Sequence, residues 1–495
     1  MLSYVIDLVS VTIAETCRVG CSAVDVLSDD VLIYIFNLYR QDLESRSYSD
    51  SESWTSWSWH QWRALAHVCQ RWRHIIFAWP NHLDIRIKCG SRTAAAEALD
   101  VWPALPISIR STLKDGDPDG DDIIAALEHR ERIAEVDLSD LSGPQLESCV
   151  ALMQETFPIL RILSLGCDAG TTTLVIPDTF LGGRAPRLRS VHLCYVPFPT
   201  LPKLLLSASH LVELYLEEIP NTGYISPEAM ATCLAVLTRL ESVIISSPFW
   251  RSFPQNQTNQ HPPPMTRAVL PSLTNFSFGG LSGEYVDDLM ARIHLPRLTD
   301  LYLRFFPLPT FGVPKLPQIV HRIEAFKLPL EAVVKFYDNR TNIDFISTGR
   351  AGLGFEFQST ESDNQVSWLK GIYPQFLPLL SKIHYLELFD RGVQDVQDST
   401  LWLEFLRPFS GVKTLYIRDQ NSLKQIARVL GELTDDRAAD VLPMLDTIAP
   451  YSKTVWDEVK SWLAPLVQPF VNARQLLGHP VVVKSGPSRG PGYYI

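Results

Sequence analysis

The sequence predicts an α/β chain in which a small helical module precedes a long solenoid of strand–helix units. Three observations carry that reading. An apolar triplet recurs at a nearly constant interval, amphipathic helical stretches lie between its copies, and two helix-patterned segments upstream match no copy of the repeat. A chain of 495 residues is long enough for about three ordinary domains, or for one repeat array with an added module.

The triplet reads apolar-x-x-apolar-x-apolar. It occurs as Ile133-Val136-Leu138, Leu160-Leu163-Leu165, Leu188-Val191-Leu193, Leu211-Leu214-Leu216 and Leu240-Val243-Ile245. It continues as Leu273-Phe276-Phe278, Leu298-Leu301-Leu303, Ile323-Phe326-Leu328, Ile383-Leu386-Leu388 and Val412-Leu415-Ile417, with a fading copy at Leu445 and Ile448. One such triplet arises easily by chance, but the first eight are spaced by 27, 28, 23, 29, 33, 25 and 25 residues, the period of a leucine-rich repeat. Five copies also carry proline two places before the first apolar residue: Pro158, Pro186, Pro271, Pro296 and Pro443. Proline is tolerated where a chain runs into a strand and not in its interior. The interval from Ile323 to Ile383 is double-sized, and a degenerate strand, Leu353-Phe355-Phe357, lies near its middle.

Helices are expected between the strands. Asp121–Arg132 opens with acidic residues suited to a helix N-terminus. Ser226 followed by Pro227 is an N-cap with proline at the first helical position, leading into Glu228–Arg239. Gly283–Ile293, Ser422–Glu432 and Thr454–Leu463 have the same spacing. One strand and one helix per unit predicts a curved array with parallel strands on one face. The asparagine of a regular repeat is replaced by Asp168, Val196, Ile219 and Gln420, so the array is expected to be an irregular horseshoe. The expected layout is an unassigned segment 1–23, a helical module 24–88, a connecting segment 89–132, repeats over 133–477 and a flexible tail 478–495. Part of 256–264 is also expected to be flexible.

In the upstream module Ser28 can cap a helix with Asp29 and Asp30 in its first turn and Val31, Leu32, Ile35 and Phe36 on one face. A second helical run holds Trp62, Leu65, Val68, Cys69, Trp72, Ile75, Ile76 and Trp79, with Arg71 and Arg73 opposite, and Pro80 ends it. The stretch from Leu27 to Phe36 resembles the first helix of an F-box, and Val68-Cys69-Gln70-Arg71-Trp72-Arg73-His74-Ile75-Ile76 resembles its conserved Cys-x-x-Trp-Arg helix. Pro80 to Leu83 resembles the close of that motif. The resemblance covers about residues 24–85, and the whole chain is similar to fungal F-box proteins with irregular leucine-rich repeats. It departs from the family pattern at Ser28, at His82, and in an insertion, 41–60, that carries Trp54, Trp57 and Trp59 among serines.

The resemblance implies a receptor that docks a Skp-type adaptor of a cullin–RING ubiquitin ligase and holds a protein substrate on its repeats. The adaptor contacts it implies are Leu27, Val31, Leu32, Ile35, Phe36, Val68, Cys69, Trp72 and Ile76. The residues alone agree that two broad apolar faces on so small a module need covering. They leave open a module that merely caps the repeats, as solenoids require, and a repeat scaffold with no ubiquitin role.

Composition narrows the partners. The formal charge is −11, from 44 Lys+Arg against 55 Asp+Glu, with no basic block, so neither nucleic acid nor an anionic membrane is an expected partner. No stretch has the apolar length of a membrane-spanning helix, and Met1–Ala14 lacks the basic start of a signal peptide. The eight cysteines are scattered without zinc-ligand spacing and are expected to be reduced thiols of a cytoplasmic or nuclear protein. Asn-x-Ser/Thr matches at Asn256, Asn275 and Asn339 are then coincidental.

No cofactor, metal or catalytic centre is expected. Asp115–Gly120 reproduces the start of an EF-hand loop, but Ala126 stands where a bidentate carboxylate is needed and Pro106–Arg110 reads as strand. Gly349, Gly352 and Gly354 lack a phosphate-binding lysine and read as a flexible turn. Ser45, Ser47, Ser49, Ser51 and Ser53 beside Asp50 and Glu52 could accept phosphate, or form a plain exposed loop.

A binding face is expected instead. The second and third apolar residues of each triplet face the core, so the residues between and just after them face the concave side. In later copies these are Tyr302 and Arg304, Tyr385, Glu387 and Phe389, and Tyr416 and Arg418. Tyr and Arg are enriched at binding hot spots, which makes this stretch the expected substrate surface. Earlier copies place Ser164, Gly166, Ser277 and Gly279 there, with Tyr215 and Glu217 as the exception. The alternative is that 439–477 folds across these aromatics as a cap.

Overall fold

A computed structural model of the protein describes residues 27–47, 65–79, 87–89, 105–110, 120–167, 174–247, 267–280, 283–305, 329–337, 339–347, 352–358, 379–390, 399–450 and 456–484, together with 320, 323 and 326. The Ser/Trp insertion beyond Ser47, the EF-hand-like loop and the segment 1–23 lie outside the described residues. The chain divides into two compact units, Met1–Leu163 and Ser164–Ile495.

In the first unit α1 (Asp29–Ser47) starts as its sequence dictates: Ser28 Oγ accepts from the Val31 amide at 3.4 Å, and Asp29 and Asp30 sit in the first turn. The second helix, α2 (Gln70–Ala78), is shorter than the apolar spacing predicts. Cys69 is extended, and its thiol accepts from the Trp72 amide at 3.4 Å. Cys69 therefore caps the helix from outside, and neither it nor Val68 shares a helical face with Trp72 and Ile76. Phe36 meets Trp72 edge-on with ring centroids 4.8 Å apart. Arg71 ties the two helices together, donating to Asp29 Oδ1 at 2.7 Å and to the Leu27 carbonyl at 2.5 Å.

Three parallel strands follow in chain order, β1 (Ile87–Cys89), β2 (Ile107–Arg110) and β3 (Ile133–Leu141). Helix α3 (Gly120–Leu127) packs on β1 and β2, and α4 (Gly143–Leu152) follows β3. The connecting segment thus already has the strand–helix layout of the repeats. Strand β4 (Ile162–Cys167) lies across the boundary between the units.

The second unit continues with β5 (Ser190–Cys194), α5 (Leu201–Leu205), β6 (Glu213–Glu217), α6 (Pro227–Val236) and β7 (Ser242–Ser247). Next come β8 (Ala268–Val269), β9 (Asn275–Gly280), α7 (Gly283–Arg292), β10 (Ile293–His294) and β11 (Asp300–Phe305). β5, β6, β7, β9 and β11 are adjacent and parallel in that order, while β8 and β10 form a small separate pair. The triplet explains the burial. Val191 and Leu193, Leu214 and Leu216, Val243 and Ile245, and Leu301 and Leu303 are all buried, and the residues between them are half-exposed. Ser226 caps α6 as its sequence predicts, its Oγ accepting from the Ala229 amide at 3.2 Å. Val196 and Ile219, standing where asparagine was expected, are buried, and Ser247 Oγ donates to the Ile219 carbonyl at 2.7 Å.

The double-sized interval is where the array departs from a plain repeat. It holds β12 (Pro329–Phe336), β13 (Arg340–Ser347) and β14 (Gly352–Gln358). β14 pairs parallel with β11, β13 runs antiparallel to both its neighbours, and β12 pairs parallel with β15 (Tyr385–Asp390). The expected all-parallel array is therefore interrupted by a three-stranded meander laid in reverse order. Ile323 and Phe326 are buried but are not in a strand, so the triplet there does not mark one; the strand starts at Pro329. The Tyr337 amide donates to the Arg340 carbonyl at 2.9 Å, closing the β12–β13 hairpin. Gly352 and Gly354 belong to β14 and not to the expected turn. A Cβ on Gly354 would lie 2.5 Å from the Tyr302 ring, so the missing side chain is what lets that ring settle on β14.

Beyond the meander, α8 (Ser399–Leu406), β16 (Thr414–Ile417), α9 (Gln420–Gly431), β17 (Thr447–Pro450), α10 (Trp456–Leu476) and β18 (Val482–Val483) complete the unit. β15 to β18 are parallel neighbours, and α8 packs on α9 and α9 on α10. This nearest-neighbour stacking of strands and of helices is that of a repeat solenoid. Gly478, with φ +80°, ends α10 and turns the chain into β18, so the expected flexible tail opens with an ordered strand.

Candidate functional site

The register places Tyr302, Arg304, Tyr385, Glu387, Phe389 and Tyr416 on the sheet face that carries the half-exposed positions, and Arg418, just past its strand, joins them through its pair with Glu387. One row across it runs Tyr215, Ile244, Ser277, Tyr302, Gly354, Asp344, Val333, Glu387, Tyr416. The next runs Glu217, Ser246, Gly279, Arg304, Glu356, Asn342, Lys335, Phe389. α10 packs with α9 in the helix layer, so it does not lie across this face as the alternative supposed, and Tyr385 is 42% exposed.

The residues form two clusters and not one. Tyr302 and Arg304 on β11 are separated from Tyr385 on β15 by three inserted strands, which at about 4.8 Å per strand puts the clusters about 19 Å apart. At β11 the Tyr302 hydroxyl donates to Glu356 Oε2 at 2.7 Å, and Arg304 Nε lies 3.1 Å from Glu356 Oε1. Glu356 is buried and is matched by these two partners. Burial, and then the bond to Glu356, push the Tyr302 hydroxyl well above its ordinary range. Its oxygen is therefore committed inside the fold, and what Tyr302 offers a partner is ring surface.

At β15 and β16 the rings of Tyr385 and Tyr416 stack with centroids 6.3 Å apart and planes 26° from parallel. Glu387 is only 6% exposed and pairs with the Arg418 guanidinium. It is a buried counterion, not the free contact the sequence suggests, because Arg418, just past the neighbouring strand, takes up its carboxylate. Phe389 is half-buried and stands opposite Lys335 in the register. Lys335 in turn lies 3.0 Å from Asp344. Lys335, Asn342, Asp344 and Glu356 are face residues the repeat pattern could not find. The available signal was the pair of alternating runs flanking Asp338-Asn339, a hairpin signature.

A third group occupies β5 and β6. His192 Nε2 lies 3.0 Å from Glu217 Oε2, and its ring meets Tyr215 edge-on at 6.0 Å. The bond to His192 holds the Glu217 carboxyl below its usual range, helped by the more distant Arg304. Glu218 is shifted the other way, by burial first, against the pull of the Arg304 guanidinium and with the repulsion of Glu217 added. Tyr195 and Glu218, each just after its strand, have φ of 58° and 53°, a conformation non-glycine residues seldom adopt.

In the amino-terminal module the nine expected adaptor contacts divide. Leu32, Phe36 and Ile76 are each 1% exposed and form the module's interior; Leu27, Ile35, Cys69 and Trp72 are half-buried; Val31 and Val68 are exposed. Tyr34, Tyr39 and Trp79 join the exposed set; the sequence pattern placed Trp79 in the second helical run and did not single out the two tyrosines. Among the described residues no group of three His, Cys, Asp or Glu could hold a metal ion, and no helix is long and apolar enough to cross a membrane. The described cysteines, at 69, 89, 149, 167, 194 and 233, are all free.

No protein-family model matches the chain, and no curated protein matches it. Among solved structures the chain is similar to the leucine-rich repeat-containing protein LegL7 from Legionella pneumophila, at 11% identity and a TM-score of 0.27, over 80% of this chain and 99% of that one. A likeness of that size carries no argument about function.

Proposed function

We propose that the chain is a non-catalytic substrate receptor of a cullin–RING ubiquitin ligase, its amino-terminal module docking a Skp-type adaptor and the open sheet face holding a protein substrate. The observation that carries the reading is the exposed apolar set on the α1–α2 module: Val31, Tyr34, Tyr39, Val68 and Trp79. Large apolar side chains left exposed on α1 and just beyond the two ends of α2 gain when a partner covers them. The F-box resemblance of residues 24–85 supplies the partner class. The stacked Tyr385–Tyr416 pair, with Tyr385 exposed and Tyr416 half-buried beside a neutralised ion pair, suits substrate contact on the repeats. Such a receptor would work in the cytoplasm or nucleus.

The test is a pull-down of the full chain with a Skp-type adaptor and cullin. Val68→Asp and Tyr34→Asp change residues 57% and 61% exposed, so they leave the interior of the module intact while removing adaptor binding. Trp72→Ala is a poorer probe, because it also removes the contact with Phe36. Wild-type protein that captures a protein partner but no adaptor would leave a repeat-based interaction scaffold without a ubiquitin role.

A further inference from the structure

The β5–β6 stretch of the open face carries negative charge that the fold balances only in part, and we propose that it is a subsite for a lysine or arginine side chain of the protein partner. This rests on the reading that the open face binds a protein. Glu217 and Glu218 are consecutive, and Glu217 shares its carboxylate with His192 at 3.0 Å. Among the described residues the Glu218 carboxylate has no hydrogen bond or ion pair. Arg304, the nearest cation on the face, is already 3.1 Å from Glu356. Its strand lies three places from β6, about 14 Å across the sheet, so it reaches toward the two glutamates only over Gly279 and Ser246.

Those two small residues make the floor between the glutamates and Arg304. Ser246 is 9% exposed, and its Oγ has no hydrogen-bond partner. A side-chain oxygen left dry and unpaired costs stability unless a ligand atom meets it. A Cβ on Gly279 would come within 2.8 Å of that buried oxygen, so the sheet tolerates the hydroxyl there only because residue 279 has no side chain. A primary ammonium or guanidinium suits the position on every count. It can donate to the half-exposed carboxylates of Glu217 and Glu218 and, once it displaces the cover over Ser246 Oγ, to that unpaired oxygen, and the Tyr215 ring stands next to Glu217 in the strand. An acidic group would meet two carboxylates and gain only an arginine that is already paired.

The probe is rhodamine-labelled hexalysine, titrated into the full chain at low salt and read by fluorescence anisotropy. Glu217→Gln/Glu218→Gln is expected to weaken binding about tenfold, the scale of one lost charge-assisted contact. Glu228→Gln/Glu241→Gln changes the net charge equally but away from the floor, and should leave binding within about twofold of wild type. Arg304→Gln removes the competing cation and should tighten binding, which a variant that merely damages the fold cannot do. Equal weakening by both glutamate pairs, or no tightening in Arg304→Gln, would overturn the subsite. Tyr385→Ala/Tyr416→Ala should leave hexalysine binding unchanged, so this subsite and the open-face reading can fail separately.

Discussion

Two neighbouring residues on β6 offer the sharpest test of the repeat geometry. Leu214 points into the core, fully buried between Val191 and Val243 in the register, while Tyr215 points to the open face. Leu214→Ala removes three buried carbon groups at about 0.8 kcal/mol each, and the cavity left behind adds to that, for a loss of about 3 to 4 kcal/mol. Tyr215→Ala loses its edge-on contact with His192 and some half-exposed area, about 1 kcal/mol. In a solenoid each unit leans only on its neighbours, so the damage should be local. Hydrogen exchange read by mass spectrometry is therefore the assay. Leu214→Ala should speed exchange in 190–194, 213–217 and 242–247 and leave 414–417 and 447–450 as in wild type, while Tyr215→Ala changes little anywhere. If Tyr215→Ala does as much damage as Leu214→Ala, the strand is out of register by one residue and the face assignment is wrong.

Glu218, whose carboxyl is pushed up by burial, is charged at neutral pH at a cost to the folded state. Glu218→Gln should thus melt higher than wild type at pH 7, and the gap should close as pH falls below the ordinary glutamate pKa of about 4.3, where wild-type Glu218 becomes protonated in both states; an equal gap on both sides would refute this. Gly354→Ala should force the Tyr302 ring off β14 and lower stability by about 1 to 3 kcal/mol, seen as a fall in the denaturation midpoint, whereas Gly478→Ala, at a helix end with open space around it, tests backbone strain alone. Burial pushes the thiols of Cys149, Cys194 and Cys233 up to about 11, so these residues should resist iodoacetamide at pH 7.5 in the folded protein and react once it is denatured. Rapid labelling of the native protein at any of the three would contradict their placement.

What could be read from the sequence and what could not divide along physical lines. The strands centred on Leu214, Phe276, Leu301 and Leu415 were legible because a parallel strand buried on one face imposes an apolar residue at every second place, and the period ties the copies together. Helix starts at Ser28 and Ser226 were legible because a cap is a local event between residues three apart. The meander was not, because the triplet at Ile323 looks the same whether its side chains enter the core from a strand or from a turn. Pairing of β14 with β11 is a long-range choice that no local pattern encodes. The binding residues split the same way. Alternation put Tyr302, Tyr385 and Tyr416 on the right face, but whether Glu387 is a contact or a buried counterion depends on Arg418 from the next strand.

The reversed meander also dictates the order in which the array can assemble. A solenoid made only of adjacent parallel units can lengthen one unit at a time as the chain leaves the ribosome. Here the strand that follows β11 in the chain, β12, is not the one that pairs with it. β12 must wait for β13 to pair on one side and for β15 on the other, while the edge of β11 stays open until β14 has been made. While the chain from Phe305 to Gly352 is being made, two strand edges are therefore unpaired at once. Unpaired strand edges of that kind are open to mispairing in a nascent chain. Substitutions that weaken the β12–β13 hairpin should then lower the yield of folded protein more than they lower its final stability.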